Sequence, residues 1–174
     1  ASAFIPVFTT LITQQKNKEA WEVATSIINI AIIFLVGLSI ILAIFMPYII
    51  PLVVPGFEID KQELTTKLAR IMLGSPILFG ISYIFGGILN SFKRFFVYAL
   101  APLVYNLTII IGTLFFADKY SVTGVAVSVV VGAFFHFLIQ LPVALKLGFH
   151  YQAKIYFHHW CVRRIGILMI PRAI

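Results

Sequence analysis

Few residues in this chain could do chemistry, and where they stand narrows what that chemistry is. His136 and Gln140 lie one helical turn apart in an apolar stretch, so on a helix they share a face. There they could hold a polar substrate group or relay a proton. Near the end of an apolar run, the plainer reading is a pair of interfacial or interhelical hydrogen-bond partners. Asn106 is an amide in a second apolar run and must find partners in hydrocarbon: a clamp between helices is the first expectation, the lining of a hydrophilic path the sharper one. Arg172 follows the apolar stretch Ile165 to Pro171, which places it on the order of 10 Å inside an apolar layer at ~1.5 Å rise per residue. An ionisable group at that depth marks a functional site by default; its plainer alternative is snorkelling towards the cytoplasm through a water-filled cleft. His158, His159 and Trp160 together resemble an interfacial anchor with an aromatic belt residue more than a metal site.

No catalytic constellation accompanies these groups. A base, a nucleophile and an orienting group would have to converge, and the apolar runs contain no Asp or Glu. The single cysteine, Cys161, has no intramolecular disulfide partner, and no CxxC or Cys/His ligand pattern is present. The expectation is a protein that is not an enzyme and carries neither metal nor cofactor.

The elements that position these residues are set by composition. Of 174 residues, 61% are hydrophobic and 11% charged, with a mean hydropathy of +1.03; a soluble domain could not hide that much apolar surface. The net charge of +7 would suggest a nucleic-acid partner in a soluble protein, but here the basic residues sit in short gaps between apolar runs. The partner they imply is the lipid bilayer, with no nucleic acid. Uncharged runs of 35 residues (23–57), 22 (71–92), 23 (95–117) and 26 (120–145) each exceed the ~20 residues a helix needs to cross a ~30 Å hydrocarbon core. The predicted fold is all-α, a polytopic transmembrane helix bundle with full spans over about 21–46, 68–89, 97–116 and 122–147.

Residues about 1–14 read as the end of an upstream helix, since they lack the basic region and cleavage site of a signal peptide. Residues about 161–174 read as the start of a further helix, so the chain reads as a fragment. Lys16, Lys18, Lys93, Arg94, Lys146, Lys154, Arg163 and Arg164 fall on one side of the four spans, and Lys61, Lys67, Arg70 and Lys119 on the other. Eight against four places the first set in the cytoplasm.

Local signals refine the spans. Pro47, Pro51 and Pro55 recur every four residues and each removes a backbone donor, so span one should end or break there, leaving a hydrophobic core of about Ile27 to Phe45. Asn90, Ser91, Lys93 and Arg94 suggest a tight cytoplasmic turn, and Asp118 to Ser121 a short outer one. Gly124, Ser128 and Gly132 share one face of span four, and Gly86-Gly87 interrupt span two. Small residues so spaced let backbones approach closely where lipid supplies no hydrophobic drive; a packing seam is the first reading, a sliding surface the second.

Several blocks carry a family resemblance. Ala3 to Thr9 (AFIPVFT), Val54 to Phe57 (VPGF), Leu64 to Asn106 (LTTKLARIMLGSPILFGISYIFGGILNSFKRFFVYALAPLVYN), Gln140 to Pro142, Leu147 to Phe149 and Arg163 to Pro171 occur in the order found in the MurJ (MviN) lipid II flippases. The chain resembles their N-terminal lobe along essentially its whole length.

The resemblance implies a fragment of a MATE-like fold in the multidrug/oligosaccharidyl-lipid/polysaccharide (MOP) exporter superfamily, with two six-helix lobes. It implies a bacterial inner-membrane protein that moves lipid II, the undecaprenyl-pyrophosphate-linked precursor, to the outer leaflet by alternating access during cell wall synthesis. Its implied partners are lipid II, the bilayer and the remaining helices of the full-length transporter. The headgroup-binding arginines of the family's first two helices and second lobe have no counterpart here, so those roles do not carry over. Two departures stand out: Gly74-Ser75 occupy the place where the family commonly has proline, with Pro76 following, which predicts a displaced kink in span two; and Tyr98 stands where many relatives have proline. A related exporter of another lipid-linked oligosaccharide or a drug, and a non-transporting membrane scaffold, are the alternative readings.

Overall fold

In the computed structural model, which describes residues 4–156, 160–162 and 165, the chain is a helical bundle. Its elements are α1 (Phe4–Thr13), α2 (Asn17–Val53), α3 (Ile59–Met72), α4 (Gly74–Ser91), α5 (Phe95–Leu138) and α6 (Leu141–Lys146). Helices satisfy their own backbone groups, which apolar runs in lipid require. Among the described residues, three stretches are long and apolar enough to cross a membrane: Asn17–Val53, Ile59–Ser91 and Phe95–Lys146.

The third stretch is folded in two. Ser121, at φ 50° and ψ −142°, interrupts α5, and the two arms pack antiparallel. A Cβ at Gly132 would stand 3.1 Å from the Tyr105 carbonyl oxygen, one at Gly112 would collide with Ser128, and one at Gly124 would lie 2.7 Å from the Phe116 carbonyl oxygen. The paired numbers converge on Ser121. Gly124, Ser128 and Gly132 are buried and form the packing seam that their spacing suggested.

The first long helix ends within the proline series, but not at its first member. Span one was expected to end near residue 46, but α2 runs through Pro47 and Pro51 to Val53 and ends just before Pro55. Pro47 cannot donate to the carbonyl of Ala43, four residues back. Arg70 supplies the missing donor, its Nε bonding the Ala43 oxygen at 2.8 Å. A side chain from the next helix thus replaces a lost backbone bond, and the helix continues.

Span two is longer than the predicted 68–89 and arrives as α3 and α4, abutting at Leu73. The break directly precedes Gly74-Ser75 and one turn precedes Pro76, which cannot donate to Met72. Gly86-Gly87 do not interrupt α4 as expected. They admit neighbours: a Cβ on Gly86 would be 2.7 Å from the Tyr98 ring and one on Gly87 3.0 Å from Phe4. Span four, expected to run unbroken over 122–147, gives way at Ile139-Gln140 before α6 resumes, because Pro142 has no amide to offer the Leu138 carbonyl.

Three chain reversals at one end of the bundle share a hydrogen-bond pattern. Lys16 N bonds Leu11 O, Arg94 N bonds Leu89 O and Phe149 N bonds Ala144 O, each flanked by a shorter inner bond. This is the Schellman arrangement, which needs a left-handed residue past the helix end. Gln15, Lys93 and Gly148 take that conformation, and only at Gly148 does the side-chain type remove the steric cost.

α4 touches every other helix, with α2 and α5 on opposite sides of it. At the reversal end, Trp21 packs against Phe8, Phe92 and Phe149 with ring centroids 5.4 to 5.9 Å away, tying α1, α2 and two of the reversals together. Beyond α6, the chain is strapped to α2: Asn29 Nδ2 donates to the Gln152 and Lys154 carbonyls, each at 2.9 Å, and the Tyr156 amide donates to Ser26 Oγ at 3.0 Å.

Replacing Arg70 with Met should therefore destabilise the detergent-solubilised protein by about 1 kcal/mol. In a Pro47→Ala background, where the amide at position 47 can serve Ala43 directly, the loss should be smaller. Thermal unfolding of the four variants in a double-mutant cycle measures this; equal losses in both backgrounds would contradict the role assigned to Arg70.

Candidate functional site

The most concentrated polar group inside the bundle is built where α4 meets the end of α5. Ser82, His136 and Gln140 are buried, with Ser82 and Gln140 fully enclosed. Gln140 Nε2 donates to Ser82 Oγ at 2.6 Å and to the His136 carbonyl at 3.0 Å, which uses both its protons. Ser82 Oγ lies 2.7 Å from His136 Nδ1 and 3.3 Å from the His136 carbonyl. The serine hydroxyl and the imidazole Nδ1 share one hydrogen bond, whose direction follows the histidine tautomer.

The helix break positions this cluster. The turn at Ile139-Gln140 frees the Gln140 side chain to fold back on the His136 carbonyl while its amide end reaches α4. Around His136 stand Phe79, Tyr83 and Tyr105, with centroids 5.2, 6.3 and 6.4 Å from the imidazole and all edge-on. Gln140 Oε1 is buried without a hydrogen-bond partner. It lies near Gly86, where a Cβ would be 3.4 Å from it and would collide first with the Tyr98 ring at 2.7 Å.

His136 and Gln140 are thus brought together as their spacing implied, and the third member, Ser82, was missed. Its signal was available: a serine one turn before Gly86, on the same face of an otherwise apolar helix. The arrangement suits an interhelical clamp, since Ser82 and Gln140 are sealed from solvent and from any ligand.

Asn106 is exposed on the bundle, and its Nδ2 donates to the Pro102 carbonyl of its own helix at 2.9 Å, an i to i−4 bond. No other helix among the described residues receives its amide. Arg172, His158 and His159 lie outside the described residues. Trp160 is described and exposed. No group of three His, Cys, Asp or Glu side chains among the described residues is placed to hold a metal ion.

Arg70 with Ala43, and Asn29 and Ser26 with the segment 152–156, are further polar connections that the sequence reading did not pair. The first was recoverable from Pro47 four residues after Ala43. The second joins residues over 120 apart in the chain, and no local pattern announces it.

The geometry has close counterparts in known proteins. The family described as Lipid II flippase MurJ matches residues 1–174. The chain belongs to the MurJ family. It is 28% identical over 177 residues to the probable lipid II flippase MurJ of Rickettsia prowazekii (strain Madrid E), covering 100% of this chain and 35% of that protein. It is 32% identical to the probable lipid II flippase MurJ of Buchnera aphidicola subsp. Acyrthosiphon pisum (strain APS), covering 98% of this chain and 33% of that one. A solved structure of lipid II flippase MurJ in an inward closed conformation superposes with a TM-score of 0.76 at 26% identity, over 95% of this chain and 35% of the other. The chain thus spans about a third of the length of its MurJ relatives. As in that fold, it is a multi-pass membrane helix bundle.

Removing the Ser82 hydroxyl leaves His136 Nδ1 without its hydrogen-bond partner and one Gln140 proton without its acceptor. Ser82→Ala should cost about 1–3 kcal/mol of stability. Gln140→Leu removes the orphaned oxygen together with its amide, and should cost less. Thermal melts of both variants in detergent decide the order; a larger loss for Gln140→Leu would rule out this account of the cluster.

Proposed function

We propose that this chain is part of a lipid II flippase of the bacterial inner membrane, a transporter and not a catalyst. The observation that carries the reading is the match of the MurJ family to every residue of the chain, supported by the structural likeness to an inward closed MurJ.

Physical chemistry states what such a protein must do. A pyrophosphate bearing a sugar-peptide head faces a large desolvation cost in hydrocarbon, so the transporter must offer a hydrated basic path while the polyprenyl tail stays in the bilayer. Two helical lobes rocking about a central cavity provide that. The part of this chain is to form much of one lobe's rigid body. Ser82, His136 and Gln140 lock α4 to α5, and the Gly112–Ser128 seam locks the two arms of α5, so that the lobe moves as a unit and its helices do not slide.

Roles for the remaining polar residues follow from placement. Asn106, exposed on the described bundle, is proposed to face the remaining helices or a hydrated path between them. Arg172 is proposed, on sequence grounds, as a contributor to the basic lining. Substrate-binding arginines are sought outside these residues, and on its own this stretch is expected not to transport.

The test is complementation. The intact gene, expressed in a bacterium depleted of its own flippase, should restore growth and the appearance of lipid II in the outer leaflet. Normal membrane insertion without recovery of outer-leaflet lipid II would reject the assignment.

A further inference from the structure

At the end of the bundle away from the three Schellman reversals, α2 and α3 enclose a groove of about 500 Å³, within the range of small-molecule sites. Its polar lining includes Glu63, Lys67 and Arg70, with Pro47 and Pro51 on the facing helix. We propose that this groove holds the headgroup of an aminophospholipid such as phosphatidylethanolamine, in the outer leaflet.

The donors for a phosphate are in place. Lys67 and Arg70 are three residues apart on α3 and so share a face. Arg70 is tethered through Nε to the Ala43 carbonyl. Among the described residues its Nη groups have no protein partner, and Lys67 is in no ion pair. A guanidinium anchored at one nitrogen and free at the other two is already oriented for a phosphate oxygen.

The acceptors for an ammonium stand beside them. Glu63, one turn before Lys67, pairs with no cation among the described residues. Pro51 has no amide, so the Pro47 carbonyl lacks its ordinary helical donor on the wall of the same groove. Two cations, one carboxylate and one unserved carbonyl match a zwitterion with a phosphate and an N–H-bearing ammonium. A choline headgroup has no N–H to give, and a purely anionic headgroup would leave Glu63 beside a negative charge.

Depth agrees. Pro47 and Pro51, which line the groove, follow the apolar core of α2 (about 27–45) by two and six residues, about 3 and 9 Å past its end at 1.5 Å per residue. The groove therefore stands at the level of headgroups, on the side that the Lys/Arg distribution makes extracytoplasmic.

The test uses the intact gene product, purified in mild detergent and exposed to phosphatidylethanolamine or phosphatidylcholine of identical acyl chains, with retained lipid read by native mass spectrometry. The wild type should retain the ethanolamine lipid about five-fold more than the choline lipid, the scale of one exposed ion pair. Lys67→Met should lower retention of both lipids. Glu63→Gln should lower the ethanolamine lipid more than the choline lipid and narrow the gap between them. Neither side chain bonds within the described protein, so both variants should melt like the wild type. Equal retention of the two lipids by the wild type, or unchanged retention by both variants, would overturn the proposal. So would burial of Lys67 against amine-reactive reagents in the lipid-free protein, which would mean that another part of the protein fills the groove.

Discussion

Every backbone carbonyl and amide in this bundle must find a partner without the help of water, and that constraint governs where its helices bend, stop and touch. Proline is the stress test. Pro47 deprives Ala43 of its donor, and Arg70 reaches across from α3 to replace it. Pro142 deprives Leu138, and there the helix gives way at Ile139-Gln140. The same residue type lies within a continuous helix at Pro47, Pro51 and Pro102 and beside a break at Pro142, and at Pro47 a cationic side chain replaces the lost donor.

The second case has a structural use. The turn that Pro142 forces lets Gln140 fold back on the His136 carbonyl and donate to Ser82, so a helix break becomes a joint between α4 and α5. Helix α4 is well suited to bear it. It is the one helix in contact with all the others, and Gly86 and Gly87 bring Tyr98 and Phe4 against its backbone. Trp21 at the reversal end and the seam about Gly112 and Ser128 in α5 complete the set of contacts that make this part of the lobe one body.

Much of this was legible along the chain. The number of apolar runs, the short turns at Lys93 and near Ser121, the small-residue face of Gly124, Ser128 and Gly132, and the shared face of His136 and Gln140 all follow from spacing and local stereochemistry. So did the family, since its blocks are contiguous. The misreadings have a common origin. Pro47 and Pro51 were read as ending or breaking the helix and Gly86-Gly87 as an interruption, each judged by its own helix; the outcome depended on what the neighbouring helix brings.

Sequence alone determined that this is a membrane helix bundle, because hydropathy and run length are sums over neighbours in the chain and need no third dimension. It also determined two of the turns, at Asn90 to Arg94 and at Asp118 to Ser121, through short polar gaps between the apolar runs. Tertiary structure decided which polar groups meet: Ser82 with His136 and Gln140, Arg70 with Ala43, Asn29 with the carbonyls of Gln152 and Lys154. Those pairings depend on the rotation of one helix against another. That rotation is set by the fit of glycine, serine and aromatic side chains across the interface, which no single stretch of chain encodes.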